Sequence, residues 1–377
     1  MNVIFTCGGT GGHINPAIAV ADLLRKQIPD CNILFIGAKD RMEEELVPKA
    51  GYDVALLPAS SFSRGMTLTA LGENIRTGAM IACAMVKCRK ILRKFQPDVI
   101  VGTGGYASFP ALYIGSRMGI PTCVHEANAV PGMTTRMVAN RVDKVLVCFP
   151  ESAQYYKHPQ RVQVVGMPVR KAFSNMKKQE AKRKLGLDGR PVILSAFGSQ
   201  GAREMNKAIA QMLLLEQRDG VPYQHLHATG SYGWEWMPEH LKDLGVDLET
   251  SRGLRMEEYI YDMPTYMAAA DVIISRAGAS SLNEIGVAGL PCVIVPSPNV
   301  TDNHQEKNAR VLEQRGAALV LLEQEATGER LYKEVSALLA DEKRRERMSQ
   351  ALRQGVPADA AQRTVQVILE LTHTKGE

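Results

Sequence analysis

No stretch of the chain approaches the roughly 18 uninterrupted apolar residues of a membrane-spanning helix. Nor does it open on a charged segment followed by an apolar core, because Met1 leads almost at once into a strand. A soluble or peripheral intracellular protein is the expectation. The seven cysteines are odd in number and scattered, with no C-x-x-C pair. That argues against a disulfide framework or a cysteine metal site and favours a reducing compartment. No Gly-Lys-Ser/Thr sequence occurs, which removes a Walker-type phosphate loop, and no D-x-D sequence occurs either. Charge of one sign is also scarce. A net +5 suits an anionic ligand or an anionic surface without requiring either, and no nucleic-acid partner is expected.

What remains is ordinary globular material, 45% hydrophobic and 23% charged. At 377 residues the chain is too long for one small core and suits two domains. Short apolar runs alternate with helical patterns. In the first half the strands read as 3–7, 33–36, 54–57, 99–101, 122–125 and 145–148, with helices at 16–27, 68–94 and 132–140. After 162–166 the pattern restarts, with strands at 192–196, 225–229, 272–275, 292–295 and 318–322. Nearly continuous apolar strands between helices predict parallel sheets covered on both faces. The fold class expected is α/β, with two Rossmann-like, doubly wound parallel-sheet domains facing a cleft. The linker falls at Gly166-Met167-Pro168-Val169-Arg170, and the last helix, 359–372, could join either domain.

The first strand runs into Gly8-Gly9-Thr10-Gly11-Gly12-His13, with a helix expected from about Asn15-Pro16. Glycines let backbone N–H groups approach a ligand closely, and a helix N-terminus favours a phosphate or a developing anion. His13, at the mouth of the turn, is placed to take a proton from a hydroxyl. The loop is not a dinucleotide fingerprint. Counted from Gly9, the third glycine position holds Ile14, and the second strand ends Ile36-Gly37-Ala38 without an acid. A glycine turn could serve only close packing, but a second such opening, Gly198-Ser199-Gln200-Gly201-Ala202, lies half a chain away, and the pair favours ligand binding.

Further segments should meet these loops at the sheet edges. Thr103-Gly104-Gly105-Tyr106-Ala107-Ser108 and His125-Glu126-Ala127-Asn128 each follow a strand in the first half. They offer a tyrosine hydroxyl, a carboxylate and an amide around His13. Glu126 and Asn128 suit sugar hydroxyls, whereas His125 reads as a structural histidine. In the second half, Ser275–Glu284 places small residues at a helix start, with Glu284 expected near its first turn. There it could accept the vicinal hydroxyls of a ribose or simply cap the helix. Asp302, His304 and Gln305 could reach a sugar, and Arg170 and Ser199 a diphosphate. Residues 68–94 interleave Met80, Met85, Val86 and Leu92 with Arg76, Lys87, Arg89, Lys90, Arg93 and Lys94. This could be a helix packed on the sheet with a solvated basic face, or a face resting on anionic lipid.

Taken in order, these segments resemble the bacterial MurG family, which makes lipid II from lipid I using UDP-N-acetylglucosamine (UDP-GlcNAc). The resemblance runs almost end to end. It implies a GT-B fold with an acceptor- and membrane-side domain over 1–166, a donor-binding domain over 167–354, and a C-terminal helix in 355–377. It implies His13 as the acid/base residue. Thr10, Gly11, Gly12, Asn128, Arg170, Ser199, Ile260, Ala279, Ser280, Ser281, Glu284 and Gln305 would bind the donor. Glu284 would hold the ribose, Gln305 the GlcNAc hydroxyls, and Ile260 the uracil through backbone groups. Gly104, Tyr106, Ser108 and Glu126 are acceptor-side candidates. No metal ligand and no cofactor is implied. Some members have bulkier or different residues where this chain has Ser280-Ser281, and other members have a second glutamine where it has His304.

The partners implied are UDP-GlcNAc, a polyprenyl-diphosphate-linked muramyl-pentapeptide, the inner face of the cytoplasmic membrane and other cell-wall synthesis proteins. The location implied is peripheral, on the cytoplasmic face of a bacterial membrane. The acceptor's lipid tail turns residues 68–94 into an expected docking face. The chemistry implied is metal-independent displacement with inversion by the muramyl C4 hydroxyl. A UDP-GlcNAc 2-epimerase and a non-catalytic subunit that recruits a partner to membrane are the rivals.

Overall fold

A computed structural model describes residues 1–58, 68–168, 173, 176–248, 253–357 and 359–373, and within 68–76 the backbone alone. The chain divides into two compact units, one built from Met1–Val169 with Asp359–Glu377, the other from Arg170–Ala358.

In the first unit seven strands form one sheet: β1 (Asn2–Thr6), β2 (Asn32–Ala38), β3 (Asp53–Leu57), β4 (Val99–Gly102), β5 (Thr122–Glu126), β6 (Lys144–Val147) and β7 (Val162–Val164). Their order is β3-β2-β1-β4-β5-β6-β7, and every pair is parallel. Parallel neighbours need crossovers, which α1 (Gly11–Gln27), α2 (Glu43–Lys49), α3 (Leu68–Phe95), α4 (Ser108–Arg117) and α5 (Met133–Val138) supply. The central strands are largely apolar because both faces of the sheet are covered, with residues 3–5 of β1 and 99–101 of β4 fully buried. On one face Phe5 and Phe35 stack at 5.4 Å and meet Ile14, Val20 and Leu24 of α1. On the other, Ile4, Ile36 and Ile100 meet Ala84, Cys88 and Leu92 of α3 and Leu112 of α4.

The second unit repeats the plan with β8 (Val192–Ala196), β9 (Gln224–Ala228), β10 (Leu254–Glu257), β11 (Val272–Ser275), β12 (Cys292–Ile294) and β13 (Leu319–Val320). Their order is β10-β9-β8-β11-β12-β13, again all parallel. Its helices are α6 (Lys178–Lys184), α7 (Arg203–Asp219), α8 (Ser231–Trp234), α9 (Met237–Asp243), α10 (Met263–Ala269), α11 (Ala279–Ala288), α12 (His304–Gln314), α13 (Gly328–Ala340) and α14 (Glu342–Gly355). The last helix, α15 (Ala360–His373), returns to the first unit, where Val365, Val367, Ile368 and Leu371 join the α1 core.

Three expectations are corrected. Helix α1 starts at Gly11, not near Asn15-Pro16, so Gly11, Gly12 and His13 form its first turn. Pro16 lacks the N–H that would bond back to Gly12, but an orphan carbonyl at a helix start costs little, and the helix continues through it. Glu284 is the sixth residue of α11, in its second turn, and therefore cannot act as a first-turn capping acid. Strand β10 was not anticipated: Leu-Arg-Met-Glu shows neither alternation nor an apolar run, and it is a half-buried edge strand.

Candidate active site

In each unit the strand order reverses beside the first strand, between β1 and β4 and between β8 and β11. Loops leaving the carboxyl ends of such strands diverge and leave a crevice. The glycine loops occupy these positions.

In the first unit the loops after β1 and β4 pack backbone against backbone. A Cβ on Gly105 would stand 2.2 Å from the Gly8 carbonyl oxygen, and one on Gly8 would meet Ala107 Cβ at 2.7 Å. Gly104 and Gly105 also have φ of 99° and 79°, which glycine adopts without strain. The expected neighbourhood of the two loops is therefore present. His13 lies across Gly104, where a Cβ would be 3.1 Å from Nε2. Its backbone carbonyl accepts from Thr103 Oγ1 at 2.7 Å, tying α1 to the β4 loop.

The protonation pattern of His13 follows from its partners. Nδ1 lies 3.0 Å from the Gly8 carbonyl oxygen and 3.3 Å from Thr10 Oγ1. A carbonyl only accepts, so a neutral His13 carries its proton on Nδ1 and keeps the Nε2 lone pair for a base. Thr10 is the N-cap of α1 but gives its helix no side-chain bond, which leaves first-turn N–H groups at the glycines for a ligand.

The acceptor-side candidates divide. Tyr106 stands beside Gly9, its hydroxyl buried without a hydrogen-bond partner among the described residues. Ser108 is fully buried and its hydroxyl donates to the Gly105 carbonyl at 2.7 Å, holding the turn. Glu126 is also buried. Its Oε1 accepts from the N–H and the side-chain amide of Asn128, each at 3.0 Å, and its Oε2 from the Gly132 N–H at 3.0 Å. Three hydrogen bonds thus fix this carboxylate and orient Asn128 beside it. His125 is buried with Nε2 2.8 Å from the Gly166 carbonyl, and burial pushes its pKa down, as suits a neutral structural histidine.

In the second unit Gly201 and Gly230 bring the β8 and β9 loops into contact. A Cβ on Gly201 would sit 2.0 Å from the Thr229 carbonyl oxygen. Ser199 is exposed on the first of these loops. After β11, Gly278 is an extended N-cap with no side-chain bond, so α11 presents Ala279, Ser280 and Ser281 at an uncapped N-terminus. Gln305, from the start of α12, turns its Oε1 to the N–H groups of Ala277 (3.2 Å) and Ser297 (2.9 Å). It thereby pins the β11 loop to the β12 loop. Arg276 braces the same place through the Val295 and Pro296 carbonyls and an ion pair with Glu323. His304 Nδ1 lies 2.8 Å from the Thr301 carbonyl. Ile260 is buried between the exposed Tyr259 and Tyr261, whose rings meet edge to face at 4.8 Å. Arg170 lies outside the described residues.

The sequence pattern did not single out Glu43, which accepts a hydrogen bond from the Gly9 N–H at 2.9 Å. It stands in a Glu43-Glu44-Glu45 run that reads as a solvated helix start, and only the fold turns its first member inward.

Known proteins resemble this chain along nearly its whole length. Residues 3–147 match the glycosyltransferase family 28 N-terminal domain and residues 192–364 the family 28 C-terminal domain. A Desulfitobacterium hafniense protein is 39% identical over 98% of this chain and 99% of its own, and one from Acetivibrio thermocellus is 34% identical over all of both. Each is a UDP-N-acetylglucosamine--N-acetylmuramyl-(pentapeptide) pyrophosphoryl-undecaprenol N-acetylglucosamine transferase. The crystal structure of MurG from Acinetobacter baumannii matches with a TM-score of 0.76 at 26% identity, over 98% of this chain and 99% of the other.

Proposed function

The chain belongs to glycosyltransferase family 28, among its MurG transferases, and on that footing we propose which residues carry the reaction. It has the GT-B fold and transfers N-acetylglucosamine from UDP-GlcNAc to lipid-linked N-acetylmuramyl-pentapeptide, a step of peptidoglycan synthesis. The observation that carries this activity is full-length likeness to proteins of one named reaction, which neither the epimerase nor the subunit reading explains.

The finer assignment is our reading. The first unit takes the acceptor, and His13 Nε2 removes the proton of the C4 hydroxyl as it attacks the anomeric carbon with inversion. The bond to UDP breaks as the new one forms, and the charge left on the diphosphate is met by uncapped helix N-termini, Ser199 and Arg170. Support comes from the Nδ1 contact to Gly8, which leaves Nε2 basic, and from the uncapped start of α11. Glu284 holds the ribose, Ile260 the uracil, and Ala279, Ser280, Ser281 and Gln305 the rest of the donor, with Asn128, Thr10, Gly11 and Gly12 at its sugar and phosphate side. No metal takes part. The cytoplasmic leaflet is met by α3, where Val86 and Cys83 are exposed among Lys87, Arg89, Lys90, Arg93 and Lys94, while Ala84, Cys88 and Leu92 are core. Among the described residues no helix is long and apolar enough to cross a membrane.

The test is UDP release from UDP-GlcNAc, with and without a lipid I analogue, in EDTA. Acceptor-dependent release with a disaccharide product supports the scheme. Release that stops in EDTA and returns with a divalent cation refutes the metal-free part, and formation of an epimerised UDP-sugar without acceptor revives the epimerase.

A further inference from the structure

Glu43 is fully buried at the start of α2, on the crossover from β2. Its Oε1 accepts from the Gly9 N–H at 2.9 Å and from the Ala38 N–H at 3.3 Å. One oxygen thus joins the glycine loop after β1 to the end of β2. Oε2 is buried and has no hydrogen-bond partner among the described residues. The surroundings are shaped for this side chain. A Cβ on Gly37 would lie 2.7 Å from Glu43 Cβ and 2.9 Å from its Cγ, so Gly37 leaves the space that Glu43 fills. Gly9 has φ of 85°, a conformation it holds with its N–H aimed at the carboxylate.

Two backbone hydrogen bonds on one oxygen offset only part of the cost of burying a carboxylate. A side chain of similar volume and no charge would serve stability better. What Glu43 does supply is a fixed acceptor beneath a loop that otherwise has four glycines in five residues and little to choose between its conformations. The same loop carries Gly8, whose carbonyl sets the tautomer of His13.

We propose that Glu43 is a positioning residue for the transfer reaction: its buried Oε1 holds the Gly9 N–H and thereby keeps Gly8 and His13 in the geometry that proton removal needs. This rests on the reading of His13 as the base. Glu43 itself touches no substrate, and although Thr10, Gly11 and Gly12 share the loop it holds, most of the proposed donor positions lie in the second unit, so its loss falls more on turnover than on donor binding.

The experiment uses the full chain, with steady-state UDP release against a lipid I analogue and UDP-GlcNAc, and melting curves for each variant. Glu43→Ala is expected to lower kcat about 100-fold, the scale of a 1 Å misplacement of a catalytic group, with KM for UDP-GlcNAc within about twofold. Glu43→Gln, which keeps an oxygen at the Gly9 N–H, is expected to recover at least tenfold of that loss. If Glu43→Ala does not fold, Glu43→Asp, which withdraws the oxygen by one methylene, takes its place with the same expectation against Glu43→Gln. Unchanged kcat in the shortened variant, a donor KM that rises in step with the fall in kcat, or equal losses in the Gln and shortened variants would overturn the proposal. Absence of acceptor-dependent release by the unmutated chain would instead overturn the transferase reading beneath it.

Discussion

In the neutral ring of His13 the proton sits on Nδ1, where the Gly8 carbonyl accepts it, and Nε2 keeps its lone pair, as the proposed role of base requires. His13→Ala is therefore expected to lower kcat by about 10² to 10⁴ while donor affinity, measured by UDP-GlcNAc titration, stays within a few-fold. Glu284→Ala should do the reverse, weakening the donor first. Equal loss of donor affinity in both variants would refute that division. Gly105 is a sharper case. Its positive φ and the 2.2 Å approach of the Gly8 oxygen to a Cβ leave an alanine no room. Gly105→Ala should push the two glycine loops apart, costing activity even in protein that still melts cooperatively. An alanine variant with full kcat would show that the loops need not touch.

Strand β9 carries a buried polar chain into the core of the second unit. Glu216 of α7 lies 3.0 Å from His225 Nδ1, His225 Nε2 is 2.8 Å from Ser195 Oγ, and that hydroxyl is 2.7 Å from His227 Nδ1. Burial first, and His225 second, push the His227 pKa down to about 3. Unfolded histidine titrates near 6.5, so between about pH 6.5 and 3 the unfolded chain holds a proton that the folded chain refuses. Stability is thus full above about pH 6.5 and falls as pH drops through that window, by up to ~1.4 kcal/mol per pH unit from this group. Urea denaturation at pH 7 and pH 5 checks it. His227→Gln should flatten the slope by up to one proton, and an unchanged slope would assign the acid sensitivity elsewhere.

At the scale of the whole molecule, the last helix leaves one unit and completes the other. Val365, Val367, Ile368 and Leu371 of α15 sit in the core that holds Val20 and Leu24 of α1, each burying roughly 1.5–3 kcal/mol of apolar side chain. A chain ending at residue 358 should therefore lose cooperative stability in the first unit while UDP-GlcNAc binding by the second survives. Limited proteolysis with mass spectrometry reports which unit opens. Cleavage confined to residues of the second unit would contradict the packing.

Much of this was legible in the residues themselves. Strands buried on both faces read as short runs dominated by apolar residues, so β1, β4, β8 and β11 stand out without any knowledge of their neighbours. Glycine loops after β1, β4 and β8 announce where a backbone must come close to something, and the ordered succession of loops identified the family. Composition and local pattern carry that information because each depends on one segment and its solvent exposure alone. Contacts between segments distant in sequence do not leave such a trace. The packing of Gly105 on Gly8, the inward turn of Glu43, the hydrogen bonds that fix Glu126 and Ser108, and the return of α15 to the first unit were decided by tertiary structure, because each depends on which surfaces meet once the sheets have formed.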